Sequence, residues 1–286
     1  MTHLAAQPTS AQVSLQYGFR TDVGRKRQQN EDSLLAASPV FIVADGMGGL
    51  EAGYRASSAV ITEFQSCVAR PGLLAEHVVA AVERAHAAVR VVSDATGRGA
   101  GSTLTGLVLI DHDDAPQWLI VNVGDSRVYR LHGGELSQLT VDHSLAQELI
   151  DEGTLLKADV ATFARKNVIT RAMGADSSPT DYWLRPVVTG ERLLVCSDGL
   201  HGELAEESIK ASLTLGGSTH QTADLLLAGV LEHGGRDNVS VIVIDVVAGG
   251  VSSWHGVAIE EDHAQTIDTQ TEDTRPVQRV ARNAAR

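Results

Sequence analysis

Aromatic residues are scarce in this 286-residue chain, at 4%. Its core therefore has to be assembled from Val, Leu, Ile and Ala. Cysteine is scarcer still. Cys67 and Cys196 are the two present, too few for a disulfide framework and not spaced as a CxxC zinc pair. They are read as small buried hydrophobes in a reducing, cytoplasmic setting. A thiol nucleophile with a phosphate-binding arginine six positions on is absent, because those positions are Leu73 and Gly202. No GxxxxGK[ST] loop and no GxSxG elbow occur, and Glu51 stands where a dinucleotide loop starting at Gly46 would need its third glycine. No run of about 18 apolar residues exists, and no basic segment followed by an apolar stretch opens the chain, so neither a transmembrane helix nor a signal peptide is expected. Basic residues are in deficit. Lys and Arg number 23 against 36 Asp and Glu, a formal net charge of −13. That balance argues against nucleic-acid binding, which needs clustered positive charge, and leaves acidic groups available for cations.

What is present is ordinary globular material, 43% hydrophobic and 21% charged, long enough to bury a sizeable core. Alternation predicts a strand over 13–19, followed by a polar loop or strand edge over 21–32. The apolar run 40–44 reads as a buried strand that stops at Asp45-Gly46-Met47-Gly48-Gly49. Helical patterns follow at about 56–68 and 73–93, divided by Pro71-Gly72. Four strands at 103–110, 118–123, 127–132 and 135–139 are separated by short Asp or Gly turns, which predicts antiparallel hairpins. A helix over 142–152 with Ser144 as a cap precedes a surface excursion at 154–166. Strands at 181–186 and 192–197, helices near 205–211 and 219–232, and a strand over 239–247 complete the pattern. This order predicts an α+β fold with a large antiparallel core of two packed sheets flanked by helices. Residues 1–12 read as an N-terminal extension, 13–248 as one domain, and 249–286 as a polar, disordered tail.

Four aspartates recur in one setting. Asp45, Asp125 and Asp198 each end an apolar strand beside a glycine, and Asp237 follows Gly234-Gly235-Arg236 into the last strand. A strand fixes direction, a glycine permits close backbone approach, and the carboxylate is presented at the sheet edge. Carboxylates converging on one spot repel one another unless cations lie between them. Oxygen ligands without His or Cys select Mg²⁺ or Mn²⁺ over Zn²⁺. Taken singly, each Asp-Gly pair is also what a plain turn uses. Arg27, in Gly24-Arg25-Lys26-Arg27, offers a guanidinium fork matched to two phosphate oxygens, although three adjacent cations are equally a solvated patch. His143, His201 and His233 are read as surface or satisfied histidines.

Eight short segments then occur in a recognisable order. They are Arg27 with Asn30-Glu31-Asp32, Val43-Ala44-Asp45-Gly46-Met47-Gly48-Gly49, Gly101-Ser102-Thr103-Leu104, Val123-Gly124-Asp125-Ser126-Arg127, Asp142-His143-Ser144, Ile169-Thr170-Arg171-Ala172-Met173-Gly174, Cys196-Ser197-Asp198-Gly199-Leu200, and Gly235-Arg236-Asp237-Asn238-Val239-Ser240. Over about 13–247 the chain resembles the metal-dependent (type 2C, PPM) protein phosphatases, particularly bacterial ones. The resemblance implies a four-layer α-β-β-α sandwich with two Mn²⁺ or Mg²⁺ ions at one edge. It implies that Asp45 bridges the metals, that Gly46 gives its carbonyl to one, and that Asp198 and Asp237 hold the other. Glu31 and Asp32 would act through water, Arg27 would hold the substrate phosphate, and Asp125 with Asp198 matches a third-metal position. The implied activity is hydrolysis of phosphoserine and phosphothreonine on proteins by direct attack of a metal-bridging water, reversing a bacterial Ser/Thr kinase. Phosphorylated proteins and a cognate kinase are the partners expected, with no nucleic acid, no membrane and a monomeric chain.

The chain departs from the family pattern in three places. Met47 stands where eukaryotic members often have a His, which leaves the general acid unassigned. Gly202, with Glu203 beside it, stands where an Asp often supports the third metal. Phe163-Ala164 replaces a His-Pro pair, so the flap over about 144–167 is expected to meet substrates or regulators differently. The rival reading is a catalytically silent phosphoprotein-binding module. Such a copy would be expected to lose Asp45, Asp198 or Asp237, and all three are present.

Overall fold

A computed structural model describes residues 12–49, 51–68, 70–97 and 99–252. The expected N-terminal extension (apart from Gln12) and the tail from 253 onward lie outside the described residues.

Among the described residues, eleven strands form two antiparallel sheets. The first contains β1 (Ser14–Asp22), β11 (Val239–Ala248), β10 (Arg192–Cys196), β7 (Arg127–His132) and β8 (Glu135–Gln138), in that spatial order. The second runs β2 (Asp32–Ala37), β3 (Val40–Met47), β5 (Leu104–His112), β6 (Ala115–Val123) and β9 (Asp181–Pro186), with the two-residue β4 (Gly101–Ser102) paired to the end of β3. Period-two alternation buries both faces of the central strands. In β3, Phe41 and Val43 point between the sheets, while Val40, Ile42 and Ala44 point to the helices α1 (Glu51–Val68) and α2 (Ala75–Thr96). In β11, Ile242, Ile244 and Val246 face inward. Val239, Val241 and Val243 of β11 meet α5 (Glu206–Leu215) and α6 (Thr219–His233). The result is the expected α-β-β-α sandwich.

Four aromatic side chains, Tyr17, Phe41, Trp118 and Trp183, lie in the middle layer. Phe41 meets Tyr17 edge-on at 5.0 Å and Trp118 at 6.2 Å, a favoured aromatic arrangement. Burial of each such Val, Leu or Phe is worth about 1.5–3 kcal/mol. Cys67 and Cys196 are buried and free, and burial pushes the Cys196 thiol up to about 12. Away from the functional residues, Glu191 is buried between the sheets. It accepts hydrogen bonds from Trp118 Nε1 of β6 (3.0 Å), Arg130 Nε of β7 (2.6 Å) and the Val188 N–H (3.0 Å).

Several expectations are corrected. The strand begun at Val40 does not stop at Asp45. It runs on to Met47, because Gly46 and Met47 pair with Ser102 and Gly101. The 21–32 segment, read as loop or strand edge, is edge strand at both ends, since β1 extends to Asp22 and Asp32 opens β2. Helix α1 starts at Glu51, five positions before the expected start at 56. The helix expected over 142–152 is the shorter α3 (Leu145–Asp151), capped as predicted by Ser144, whose Oγ accepts the Gln147 N–H. A 3-10 helix (Lys157–Thr162) lies within the excursion at 154–166. The Gly124-Asp125 connection is not a hairpin turn, because β6 and β7 lie in different sheets. The chain crosses the sandwich there.

Candidate active site

The predicted acids come together at one end of the sandwich. Asp45 and Gly46 lie near the end of β3, and Asp32 opens the neighbouring β2 as the partner directly opposite Asp45. Asp198 begins the short helix α4 (Asp198–His201) just after β10. Asp237 lies two residues before β11, and Asp125 sits in the crossing between the sheets.

Close backbone packing permits the convergence. A Cβ on Gly46 would stand 2.0 Å from the Gly53 carbonyl oxygen and 2.7 Å from that of Glu31. A Cβ on Gly199 would stand 1.9 Å from the Asn238 oxygen. Only glycine lets these segments approach so closely. Asn238 fastens the incoming loop. Its Oδ1 accepts the Glu31 N–H at 2.9 Å, and its Nδ2 donates to the carbonyls of Val23 and Gln29 at 3.0 Å each. Thr103 grips Asp45 on both sides of its backbone, donating its N–H to the Asp45 carbonyl (2.8 Å) and accepting the Asp45 N–H on Oγ1 (2.9 Å). Ser197 Oγ donates to Asp32 Oδ2 at 2.8 Å. These polar clamps lie inside motifs recognised in the sequence, but periodicity carries no signal for their roles.

Electrostatics mark the site. Burial, with repulsion from neighbouring acids, raises Asp32 to about 7, Asp198 to about 6 and Asp125 to about 8. Asp45 is held well above the ordinary carboxylate range by burial and then by Asp32, Asp198, Asp125 and Asp237. Glu31 is also raised, chiefly by burial. Three buried oxygens in the cluster have no hydrogen-bond partner, namely Glu31 Oε1, Asp32 Oδ1 and Asp198 Oδ1. Orphaned buried carboxylate oxygens are costly, and an all-oxygen set of them fits hard divalent cations. The cluster is an open one. Among the described residues, no three His, Cys, Asp or Glu side chains are placed to hold a metal ion without some movement.

Arg27 stands at the mouth, half exposed, with Nη2 2.8 Å from Asp237 Oδ2. This hydrogen bond is the main reason its guanidinium holds its proton more firmly than usual. Glu203 is no substitute for the acid missing at Gly202. Its two oxygens are occupied by Arg236, through Nε at 2.8 Å and Nη2 at 2.7 Å, with the backbone N–H at 2.9 Å. His201 is satisfied by the Asp125 carbonyl oxygen, 3.0 Å from Nε2, and burial lowers its pKa to about 3. His143 is buried and hydrogen-bonded, and His233 Nδ1 lies 2.8 Å from the Gly229 carbonyl oxygen. A groove of about 490 Å³ runs from Asp125 and Asp198 past Arg127 and His201 to Lys157 and Lys166 of the flap.

Known proteins share this fold. The family profile described as protein phosphatase 2C matches residues 24–226. The serine/threonine protein phosphatase PstP of Mycobacterium tuberculosis is 37% identical over 242 residues, covering 82% of this chain and 45% of PstP. The chain thus spans about half the length of that relative. The serine/threonine phosphatase stp of Listeria innocua is 33% identical over 241 residues, 79% of this chain and 94% of stp. The crystal structure of the PstP catalytic domain in complex with two manganese ions superposes with a TM-score of 0.75 at 33% identity, covering 82% of this chain and all of that one. On the profile, the relatives and the shared sandwich together, this chain belongs to the protein phosphatase 2C family.

Proposed function

We propose that the protein is a metal-dependent protein serine/threonine phosphatase that removes phosphate from phosphoserine and phosphothreonine in other proteins. The observation that carries this reading is the set of buried, partnerless oxygens on Glu31, Asp32 and Asp198, brought from distant parts of the chain to the same end of the sandwich. PstP, with two manganese ions in its catalytic domain, supports Mn²⁺ or Mg²⁺ as the cations. Asp45, the Gly46 carbonyl, Asp198 and Asp237 would hold two of them, with Glu31 and Asp32 acting through water. Asp125 and Asp198 would serve a third. Bound cations would neutralise charge on the phosphoryl oxygens and lower the pKa of an attacking water.

The protein's own groups do the rest. Arg27 orients the phosphoryl group, since its planar fork matches two oxygens and it stands beside Asp237. Thr103 and Asn238 keep Asp45 and the 23–31 loop from shifting. Ser197 holds one oxygen of Asp32, leaving the other turned into the cluster. Asp32 is buried and Asp45 and Asp198 half-buried, which strengthens the electrostatic interactions of the cluster.

The working unit is residues 13–248, consistent with β1 beginning at Ser14 and β11 ending at Ala248. Its partners are phosphorylated proteins and the Ser/Thr kinase it opposes, and it acts as a monomer in the cytoplasm. No helix among the described residues is long and apolar enough to cross a membrane. A silent binding module has no use for a complete acidic cluster, which counts against that reading. The deciding experiment is a metal-titrated assay on phosphoserine, phosphothreonine and phosphotyrosine peptides. Release of phosphate from the first two, dependent on Mn²⁺ or Mg²⁺ and abolished by a chelator, is expected. Metal-independent turnover, or none with either ion, overturns the proposal.

A further inference from the structure

The Asp142-His143-Ser144 motif has no part in the chemistry above, yet its central residue lies against the cluster. His143 is 5% exposed. It holds Gly124 twice, donating its backbone N–H to the Gly124 carbonyl (2.9 Å) and accepting the Gly124 N–H on Nδ1 (3.1 Å). A backbone N–H can only donate, so Nδ1 carries no proton and Nε2 does. Nε2 lies 3.1 Å from Asp181 Oδ2, while Arg171 Nη1 donates to Asp181 Oδ1 at 2.8 Å. Arg171 Nη1 is also 3.1 Å from Nε2, two donors drawn together by one carboxylate. The ring is therefore neutral, and its orientation is fixed from both edges.

Gly124 passes that orientation on. Its φ is +106°, and a Cβ there would stand 2.6 Å from Thr103 Cγ2. The peptide has little freedom except through what holds its N–H and carbonyl. The next residue is Asp125, whose own carbonyl is held by His201. The backbone of Asp125 is thus held on one side by His143 and on the other by His201. The same His143 closes the flap. Its carbonyl accepts the Thr170 N–H at 2.8 Å, Ser144 bridges Ile169, and the Leu145 N–H donates to the Val168 carbonyl at 2.8 Å.

We propose that His143 is a positioning residue that sets the direction of Asp125 and ties the root of the 145–167 flap to the acidic cluster. The inference rests on the reading of Asp125 and Asp198 as cation ligands. A histidine that merely filled space would be indifferent to which ring nitrogen a substitute reproduces. The geometry demands a difference. In His143→Asn, the amide can place an acceptor where Nδ1 stood. In His143→Gln, the polar end reaches the Nε2 position and the acceptor for Gly124 is lost.

The test is calorimetric titration of Mn²⁺ into the chelator-treated full chain, wild type and both variants, with hydrogen exchange read over 124–125 and 168–170. H143N should bind within about threefold of wild type. H143Q should lose about tenfold or more in its weakest Mn²⁺ step, as loss of a group supporting a ligand does. It should also exchange faster at both segments. Equal behaviour of the two variants, both intact or both impaired, overturns the inference. If H143Q fails to fold, H143N alone decides, and a tenfold loss of Mn²⁺ affinity in it refutes the role of Nδ1. A wild-type chain that binds no Mn²⁺ sinks the proposed function as well, whereas loss of the Asn/Gln contrast sinks this inference alone.

Discussion

Asp32 and Asp45 stand directly opposite each other across the β2–β3 ladder, where two like charges destabilise a sheet. Asp32 is buried and Asp45 half-buried, and both carboxyls are raised, Asp32 to about 7. A carboxyl with a raised folded pKa keeps its proton longer in the folded chain than in the unfolded one. Its stabilising contribution is complete below the unfolded value and is lost as pH rises through the folded value. The metal-free protein should therefore melt at falling temperature from about pH 4, the unfolded carboxyl value, up to about pH 8, by which point Asp198, Asp32 and Asp125 have ionised in the folded chain. Saturating Mn²⁺ should remove that slope. Thermal melts with chelator and with Mn²⁺ read it directly, and a metal-free melting temperature that climbs over this range would contradict it.

Replacing an acid of the cluster should separate stability from function. Asp198→Asn keeps the shape and removes one charge from a site where Asp45 and Asp237 are already close. Turnover should fall by more than about 100-fold, beyond the loss seen when a supporting group is removed. The metal-free melting temperature should rise. Wild-type turnover in this variant would mean that the site is wrongly assigned.

Arg27 makes its ion pair with Asp237 half exposed, so Arg27→Ala should cost less than about 1 kcal/mol of stability. Its effect belongs to substrate. KM for p-nitrophenyl phosphate should rise about tenfold, the worth of one charge-assisted hydrogen bond, with kcat changed less. An unaltered KM would remove Arg27 from phosphate binding.

Two ion pairs offer a contrast. Arg127 donates through Nε and Nη2 to the buried Asp142, at 2.6–3.0 Å. Asp142→Ala strands that guanidinium and should cost about 3–5 kcal/mol. Arg20 and Asp224 are joined by two short bonds at the surface, and Asp224→Ala should cost under about 1 kcal/mol. Urea titration of both variants measures the difference, and equal losses would refute the ranking.

Much of this site was legible in the sequence because Asp45 and Asp198 adjoin apolar strands and glycine. The strand through Gly46 and Met47 was not, since its partner Gly101-Ser102 is remote in sequence and two glycines in a ladder look like a break. In β2, Asp32 is buried and the other five residues are half-buried, so no period-two pattern marks the strand. Gly124-Asp125 has the composition of a hairpin turn, and nothing local says that the flanking strands belong to opposite sheets. Glu203 lies beside the missing acid in sequence, but Arg236 has claimed it. Side-chain partnerships of this kind are decided by tertiary geometry, which neither spacing nor propensity encodes.

The bond from Glu191 to Trp118 and Arg130 gives the sandwich unequal ends. A neutral indole, a guanidinium and one carboxylate lock the sheets to each other without outside help. The opposite end is a gathering of like charges that only guests can reconcile. When cations depart, the layers should part from the acidic end first and remain clasped at Glu191, so that the protein opens like a hinged case rather than melting evenly.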